Sequence, residues 1–464
     1  MLCAVAMLAM MLGSMPLTAS AAGKGDYNND GSFSSTDVRY ALDMIVHTAS
    51  PTQQQLWWCD YDQNSAIDTS DIHRMMLLLV ENSSSKTPDY TNPTTTDCWG
   101  ERSVALLGDS ISFGSGCEGE IASKSYAGIV KNAFNAKNGS TNYGFMPAYT
   151  TNWSPRSDEI CGWPTMTGGP GVTGNAEGWA ETDNGNRLMT FGLTAYKQYA
   201  SLTYNLRSGY NYNYVCVYYH TAPNNGQFVV ANNADGMGYD RIEVGASAAK
   251  VYDCENTVEQ TKRTGFFKVS DFPNGISINI ISGDNSPVTI TGLGFYNDIS
   301  GNQVTFNKYT RGGAMLSSLS DTVLSQAASS GTLIMGLGYN DFFWGHAHGY
   351  TKERFTSRID HLIKECNKNG TLVVVNDYLW SNYKTLAAYQ GFDAATKASI
   401  DEKCVFFRQE LKRLANETNG IYVNQEAYWG ADLIAQADAN DGVHPLNAGH
   451  AMMAETLLKA MGLQ

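Results

Sequence analysis

Hydrophobic and polar positions along this chain fall into three regimes. From Ser103 onward, short unbroken apolar runs alternate with longer stretches of helical spacing. Ser103 to Leu107 (SVALL), Thr332 to Met335 and Thr371 to Val375 (TLVVV) read as strands buried on both faces. Helical patterns run from about Lys352 to Asn367, 397 to 417 and 447 to 460, with the short strand GIYVN between the last two. Alternation of this kind predicts a three-layer α/β/α sandwich with a mostly parallel sheet over residues 99–464. Between about 165 and 305 the pattern changes. Runs such as YASLTYNL, NYVCVYYH, GQFVVAN, ISINIIS and VTITGLGFY are β-branched and aromatic, with Gly, Asn and Asp between them. They predict an antiparallel β-sandwich or jelly roll inserted within the α/β unit.

The third regime lies at the start. MLCAVAMLAMMLGSMPLTASAA is a short apolar run ending in small residues, and 1–21 is expected to be a secretory signal peptide cut near Ala21. No later run is apolar for 18 residues, so no membrane span is expected. Two helix-like segments, VRYALDMIV and IHRMMLLLV, follow. Residues 83–98, rich in Ser, Thr, Asn and Pro, then read as a semi-extended linker.

Composition narrows the partners. Charged residues make up only 16% of the 464, and the net charge is -14. Nothing there offers a positive surface to nucleic acid or anionic lipid. The cysteines beyond Cys3 are scattered and contain no CxxC pair, which argues against a zinc ribbon. Some of them could pair as disulfides outside the cell, and Cys366 and Cys404, in helical patterns, fit buried thiols equally well.

Each N-terminal helix-like segment is preceded by an oxygen-rich loop. In DYNNDGSFSSTD, Asp26, Asn28, Asp30, Ser34 and Asp37 occupy positions 1, 3, 5, 9 and 12, with Gly31 at the sharp turn and the Ser32 carbonyl at position 7. That is the donor set a hard cation such as calcium takes. The pattern returns in DYDQNSAIDTSD as Asp60, Asp62, Asn64, Asp68 and Asp71, with the Ala66 carbonyl at position 7. Like charges facing each other in such loops make the fold depend on the ions. The duplicated loop resembles the type I dockerin of cellulosome-forming bacteria over residues 24–82. The resemblance implies a small all-α module holding two structural calcium ions. It also implies docking on a cohesin of a scaffoldin through positions 10 and 11, here Ser35, Thr36, Thr69 and Ser70, and hence a secreted, cellulosome-associated enzyme.

The candidate chemistry lies at the ends of predicted strands. SVALL leads into GDSISFG, which places Ser110 at a strand-to-helix turn, where open α/β sheets carry their sites. The run at 332–335 leads into GLGYND, leaving Asn340 with an amide able to donate. DGVHPLNAGH puts Asp441 three residues before His444, with Pro445 restricting the turn. Together these fragments resemble the SGNH/GDSL hydrolases. That resemblance implies Ser110 as nucleophile, His444 as base and Asp441 as its orienting carboxylate. It implies an oxyanion hole from the Ser110 amide, a second-block glycine and Asn340, with no cofactor for catalysis. The second-block glycine is expected in FNKYTRGGAM as Gly312 or Gly313. Gly312, five residues after Asn307, fits the family spacing better. Tyr143–Gly144 is a weaker match. Trp344, Trp163 and Trp179 read equally as cleft walls or core, and His346, His348 and His361 as packing or surface residues.

The expected function is a cellulosomal serine esterase that removes acetyl or another small acyl group from plant cell-wall polysaccharide. A lipase or lysophospholipase would instead present a long apolar groove. A non-catalytic carbohydrate-binding subunit would need no converging Ser110, Asp441 and His444.

Overall fold

The structure is a computed structural model. It describes residues 103–463 apart from 119–120, 149–164, 168–178, 184–190, 199, 207–211, 233–249, 283–285 and 380. Ahead of these it describes 18–19, 27, 33–46, 51, 55, 59, 66–69, 71–72 and 75–76. The expected linker, Trp163 and most of the expected signal peptide and first-loop ligands lie outside the described residues.

Among the described residues five strands form the parallel sheet: β1 (Ser103–Gly108), β2 (Thr305–Thr310), β3 (Thr332–Gly336), β4 (Leu372–Asp377) and β5 (Ile421–Asn424). Their order is β2-β1-β3-β4-β5, and every pair is parallel. All six residues of β1 and all five of β3 are buried, which is why both are apolar without alternation. Helices cover both faces. On one, α1 (Tyr126–Lys137) packs on α2 (Asn447–Ala460). On the other lie α3 (Asp321–Ala327), α4 (Lys352–Asn369) and α5 (Ala394–Glu417). Thr351 caps α4 through the Arg354 amide, and Gly370 ends it in the left-handed region.

The strand order reverses at β1, between β2 and β3. In open α/β sheets the crevice beyond the strand ends at such a switch point is where ligands bind.

Among the described residues the antiparallel part comprises two sheets. One runs Lys250–Asp253, Gln227–Asn232, Ile276–Ile280, Ser201–Tyr204 and Thr165–Thr167. The other centres on Tyr214–Thr221 and Val288–Tyr296. Their facing side chains, among them Leu202, Val217, Phe228, Ile278 and Leu293, form one apolar core. Gly144–Pro147 pairs with Val288–Tyr296, so the antiparallel strands begin ahead of the expected boundary at 165 and end at Tyr296. A second difference concerns TFNKYT, which forms the edge strand β2. Its polar alternation hid a strand whose residues are nearly all buried.

Candidate active site

Chain geometry at the end of β1 sets the nucleophile. A side chain on Gly108 would overlap that of Ser112, so the strand can turn into the short helix Ser110–Phe113 only with glycine there. Asp109 caps that helix, its Oδ1 accepting from the Ile111 amide at 2.9 Å. Ser110 thus stands first in the helix with its hydroxyl free to project. Its Oγ lies 2.8 Å from His444 Nε2, and His444 Nδ1 lies 2.6 Å from Asp441 Oδ2.

Partner chemistry decides the protons. A carboxylate can only accept, so His444 Nδ1 carries the hydrogen and Nε2 is left to accept from the Ser110 hydroxyl. Asp441 Oδ1 also takes the amides of Val443 (2.9 Å) and His444 (2.8 Å). Partial burial pushes the Asp441 pKa up, but these hydrogen bonds, with the His444 imidazole foremost, outweigh it and hold the group down at about 2. The structure therefore brings together Ser110, His444 and Asp441, which the sequence placed at two distant points. His444 is 15% exposed and Asp441 46%, so the base side of the site faces solvent.

The loop after β2 carries the expected second-block glycine. Its Arg311 amide bonds the Gly108 carbonyl at 3.1 Å, tying it to the nucleophile strand. Ala314 closes a turn on Arg311, with Gly313 at φ +74° where a side chain would be strained. Asn340 Nδ2 donates to the Ala314 carbonyl at 3.2 Å, which spends one of its two hydrogens. The other, with the amides of Ser110 and Gly312, forms the candidate oxyanion donor set.

Several supporting residues were not singled out for these roles from sequence. Asp341 takes the Leu316 and Ser317 amides, each at 2.8 Å, and Arg354 Nε donates to the Ser317 carbonyl at 2.6 Å. These bonds pin the loop that carries Gly312. Burial raises the Asp341 pKa against those amide bonds. Beneath the nucleophile, Tyr378 donates to Asp109 Oδ1 at 2.9 Å and contacts Ser112, which contacts Tyr126. Burial pushes the Asp109 carboxyl up to about 7, opposed by the Tyr378 and Ile111 hydrogen bonds and the nearby His444. The adjacent letters of GDS and GxND were the available signals for Asp109 and Asp341. Nothing in sequence pointed to Tyr378.

The remaining candidates have packing or hydrogen-bond partners of their own. His346 bonds the Phe343 carbonyl, His348 stacks on Tyr350 and His361 meets Ser325. Trp179 is buried in the sandwich core, whereas Trp344 is 40% exposed, edge-on to Phe343. Gly144, the weaker second-block match, belongs to the strand that pairs with Val288–Tyr296.

Of the expected calcium ligands, Asp26, Asn28, Asp30, Ser32, Asp60, Asp62 and Asn64 lie outside the described residues. Those described repeat one geometry. The Ser34 amide donates to Asp37 at 2.8 Å, and the Asp68 amide to Asp71 at 2.9 Å. Asp37 and Asp71, each at position 12, are fully buried beside a core of Val38, Ala41, Met44, Ile67, Ile72 and Met75. Two buried carboxylates in matching register fit a hard-cation loop. Thr36 and Thr69 are both exposed. Among the described residues no group of three or more His, Cys, Asp or Glu is placed to hold a metal ion, and no helix is long and apolar enough to cross a membrane.

No family model and no curated protein matches the chain. Among solved structures, a peptidoglycan O-acetylesterase aligns over 82% of this chain and 96% of its own, with a TM-score of 0.51 and 12% identity. A salicylyl-acyltransferase from a tetracycline biosynthetic pathway aligns over 69% and 97% (TM-score 0.27, 10% identity). A phospholipase A1 from Streptomyces albidoflavus aligns over 34% and 81% (TM-score 0.23, 15% identity). The last two scores are too low to bear an argument. At 12% identity the first speaks to fold alone: an α/β unit with a parallel sheet plus antiparallel sheets.

Proposed function

We propose that this chain is a serine-dependent ester hydrolase that removes acetyl or another small acyl group from a polysaccharide. The observation that carries the reading is the continuous hydrogen-bonded line from Ser110 Oγ through His444 to Asp441, at 2.8 and 2.6 Å. As Ser110 attacks the ester carbonyl, its proton passes to His444 Nε2, and Asp441 stabilises the imidazolium that forms. The oxyanion meets the Ser110 and Gly312 amides and the second hydrogen of Asn340. His444 Nε2 then protonates the departing alkoxide, leaving an acyl-serine. Water gives its proton to the same nitrogen as it attacks, and collapse of the second intermediate returns Ser110 and frees the carboxylic acid.

A polysaccharide substrate is supported by two separate lines. The duplicated loop resembles the dockerins of plant-cell-wall enzymes. The 82% structural alignment is to a protein that acts on peptidoglycan O-acetyl groups. In our reading the chain is secreted, and its N-terminal unit binds two calcium ions and docks on a cohesin through Ser35, Thr36, Thr69 and Ser70. The sandwich then forms one wall of the approach to the site. Acetate release from acetylated xylan, mannan, pectin and O-acetylated peptidoglycan, with Ser110→Ala as control, tests the substrate class. No release from any of them beside rapid cleavage of long-chain esters would establish the lipase reading instead. Calcium titration of EDTA-stripped protein tests the N-terminal unit. A far-ultraviolet dichroism signal that gains no helix on refilling would remove the metal.

A further inference from the structure

The serine and the histidine of the site are 334 residues apart, and 2.8 Å must be kept between their reacting atoms. Side chains from the two ends of the α/β unit meet at one place that does this. The helix α2 begins at Asn447, three residues after His444, and carries His450 one turn further on. Both reach the segment 115–118 that leaves the nucleophile helix.

Asn447 grips that segment in both directions. Its Oδ1 accepts from the Glu118 amide at 2.9 Å, and its Nδ2 donates to the Glu118 carbonyl at 3.2 Å. His450, fully buried, sits between two backbone groups. Its Nε2 lies 3.1 Å from the Ser115 carbonyl, and its Nδ1 accepts from the Tyr126 amide at 3.3 Å. A carbonyl can only accept and an amide can only donate, so the ring is neutral with its hydrogen on Nε2. Stacking on Tyr126, with ring centroids 6.1 Å apart and planes within 16°, fixes the remaining rotation. Ser115 in turn donates its own amide to the Ser110 carbonyl at 2.9 Å. His450 is therefore two hydrogen bonds from the backbone of the nucleophile, and six residues along the chain from the base.

Between these bonds the backbones touch. Gly116 has φ +90°, and any side chain there would strike the carbonyls of Pro445 and His444. The contact closes a ring: Ser110, Ser115, His450, the start of α2, His444 and back to Ser110.

We propose that Asn447 and His450 are positioning residues, which hold the nucleophile turn against the turn of the base and so set the Ser110–His444 contact. Neither faces the ester. The inference rests on the hydrolase reading above, and its test separates the two.

The experiment compares the full-length chain with Asn447→Ala, His450→Leu and His450→Gln. A control, Trp429→Phe, loosens α2 elsewhere, because the indole nitrogen of Trp429 donates to the Met452 carbonyl and to Thr456 Oγ1 on that helix. Turnover of a small soluble ester, the rate of Ser110 labelling by a fluorophosphonate, and Tm are measured for each. A misplacement of the reacting atoms of about 1 Å costs on the order of 100-fold in rate. Asn447→Ala and His450→Leu are expected to lower kcat and the labelling rate by about 10- to 100-fold, with KM within about twofold. His450→Gln restores a donor to the Ser115 carbonyl and should recover most of both rates, while the Trp429 variant loses Tm and keeps its kcat. The proposal is overturned if Asn447→Ala and His450→Leu react at the wild-type rate, or if the Trp429 variant loses activity in the same proportion to its Tm. A wild type that labels at Ser110 but cleaves no ester defeats the hydrolase reading, and the positioning role is then scored on labelling alone. A wild type that neither labels nor cleaves defeats both.

Discussion

The parallel sheet and the antiparallel sandwich are both packed around apolar cores, yet they place their buried polar groups differently. In the sandwich some of these groups pair with each other across strands, Thr194 with Thr289 at 2.7 Å and Thr203 with Ser277 at 3.2 Å, and others bond backbone, as Tyr204 does the Ala148 carbonyl at 2.7 Å. Such pairs complete a scaffold and leave nothing to react. In the parallel unit, Asp109, Asn340, Asp341 and Asp377 are buried at the strand ends or just past them, and most of them are bonded to loops. The difference follows from sheet type. Parallel strands all end on one side, so their following loops converge and their helix-starting amides point into a shared crevice. Antiparallel strands end on both sides and gather no such cluster. Chemistry is therefore expected to be lost at the parallel edge without loss of fold, and fold to be lost in the sandwich without loss of chemistry.

The largest test is Ser110→Ala. It removes the nucleophile from a partly exposed position, so kcat on a small ester should fall by about 10⁶-fold while the unfolding transition stays in place. Residual turnover near the wild-type rate would mean that another residue does the chemistry. Asn340→Ala follows. It deletes one oxyanion donor and a bond to the Ala314 carbonyl, and a loss of about 100-fold in kcat is expected. Finding KM alone raised would place Asn340 in ground-state binding instead. Leu202→Ala addresses the other side of the comparison. Leu202 is fully buried in the sandwich core, and its truncation should cost about 2–5 kcal/mol of stability. At a temperature where the variant remains folded, kcat on a small ester should not change. A large fall there would show that the sandwich shapes the reacting geometry as well as the approach to it.

How much of this was legible in the sequence varied with how local the cause was. The strands at 103–108 and 332–336 and the helix at 447–460 announce themselves by unbroken apolar runs and regular spacing. Ser110, Asn340, Asp441 and His444 stand in short motifs whose backbone consequences are local as well. The edge strand β2 escaped because TFNKYT carries polar residues that are buried by neighbours distant in the chain. Asn307, for instance, turns its side chain to the Phe145 amide, 162 residues away. Tyr378 escaped for the same reason, since its partner Asp109 lies 269 residues upstream. The strand Gly144–Pro147, bounded by glycine and proline, has no periodicity of its own and takes its conformation from pairing with Val288–Tyr296.

Asp109 gives the finest test, because within the parallel unit it both supports the nucleophile turn and lies buried. Its carboxyl ionises near pH 7 in the folded chain, against an ordinary value of 3.8, chiefly because burial disfavours the charge. Between those two values the folded state holds a proton that the unfolded state has released. The stability this group contributes is therefore complete below pH 3.8 and lost as pH rises towards about 7, and it changes no further above that. Asp109→Asn keeps an acceptor for the Ile111 amide and Tyr378 hydroxyl but cannot ionise. Its Tm should gain on the wild type steadily from about pH 4 to pH 7 and then run parallel to it. The Leu202→Ala deficit, which involves no titrating group, should stay constant over the same range. A difference between Asp109→Asn and wild type that ignored pH would place the charge elsewhere, and would leave the turn beneath Ser110 held by shape alone.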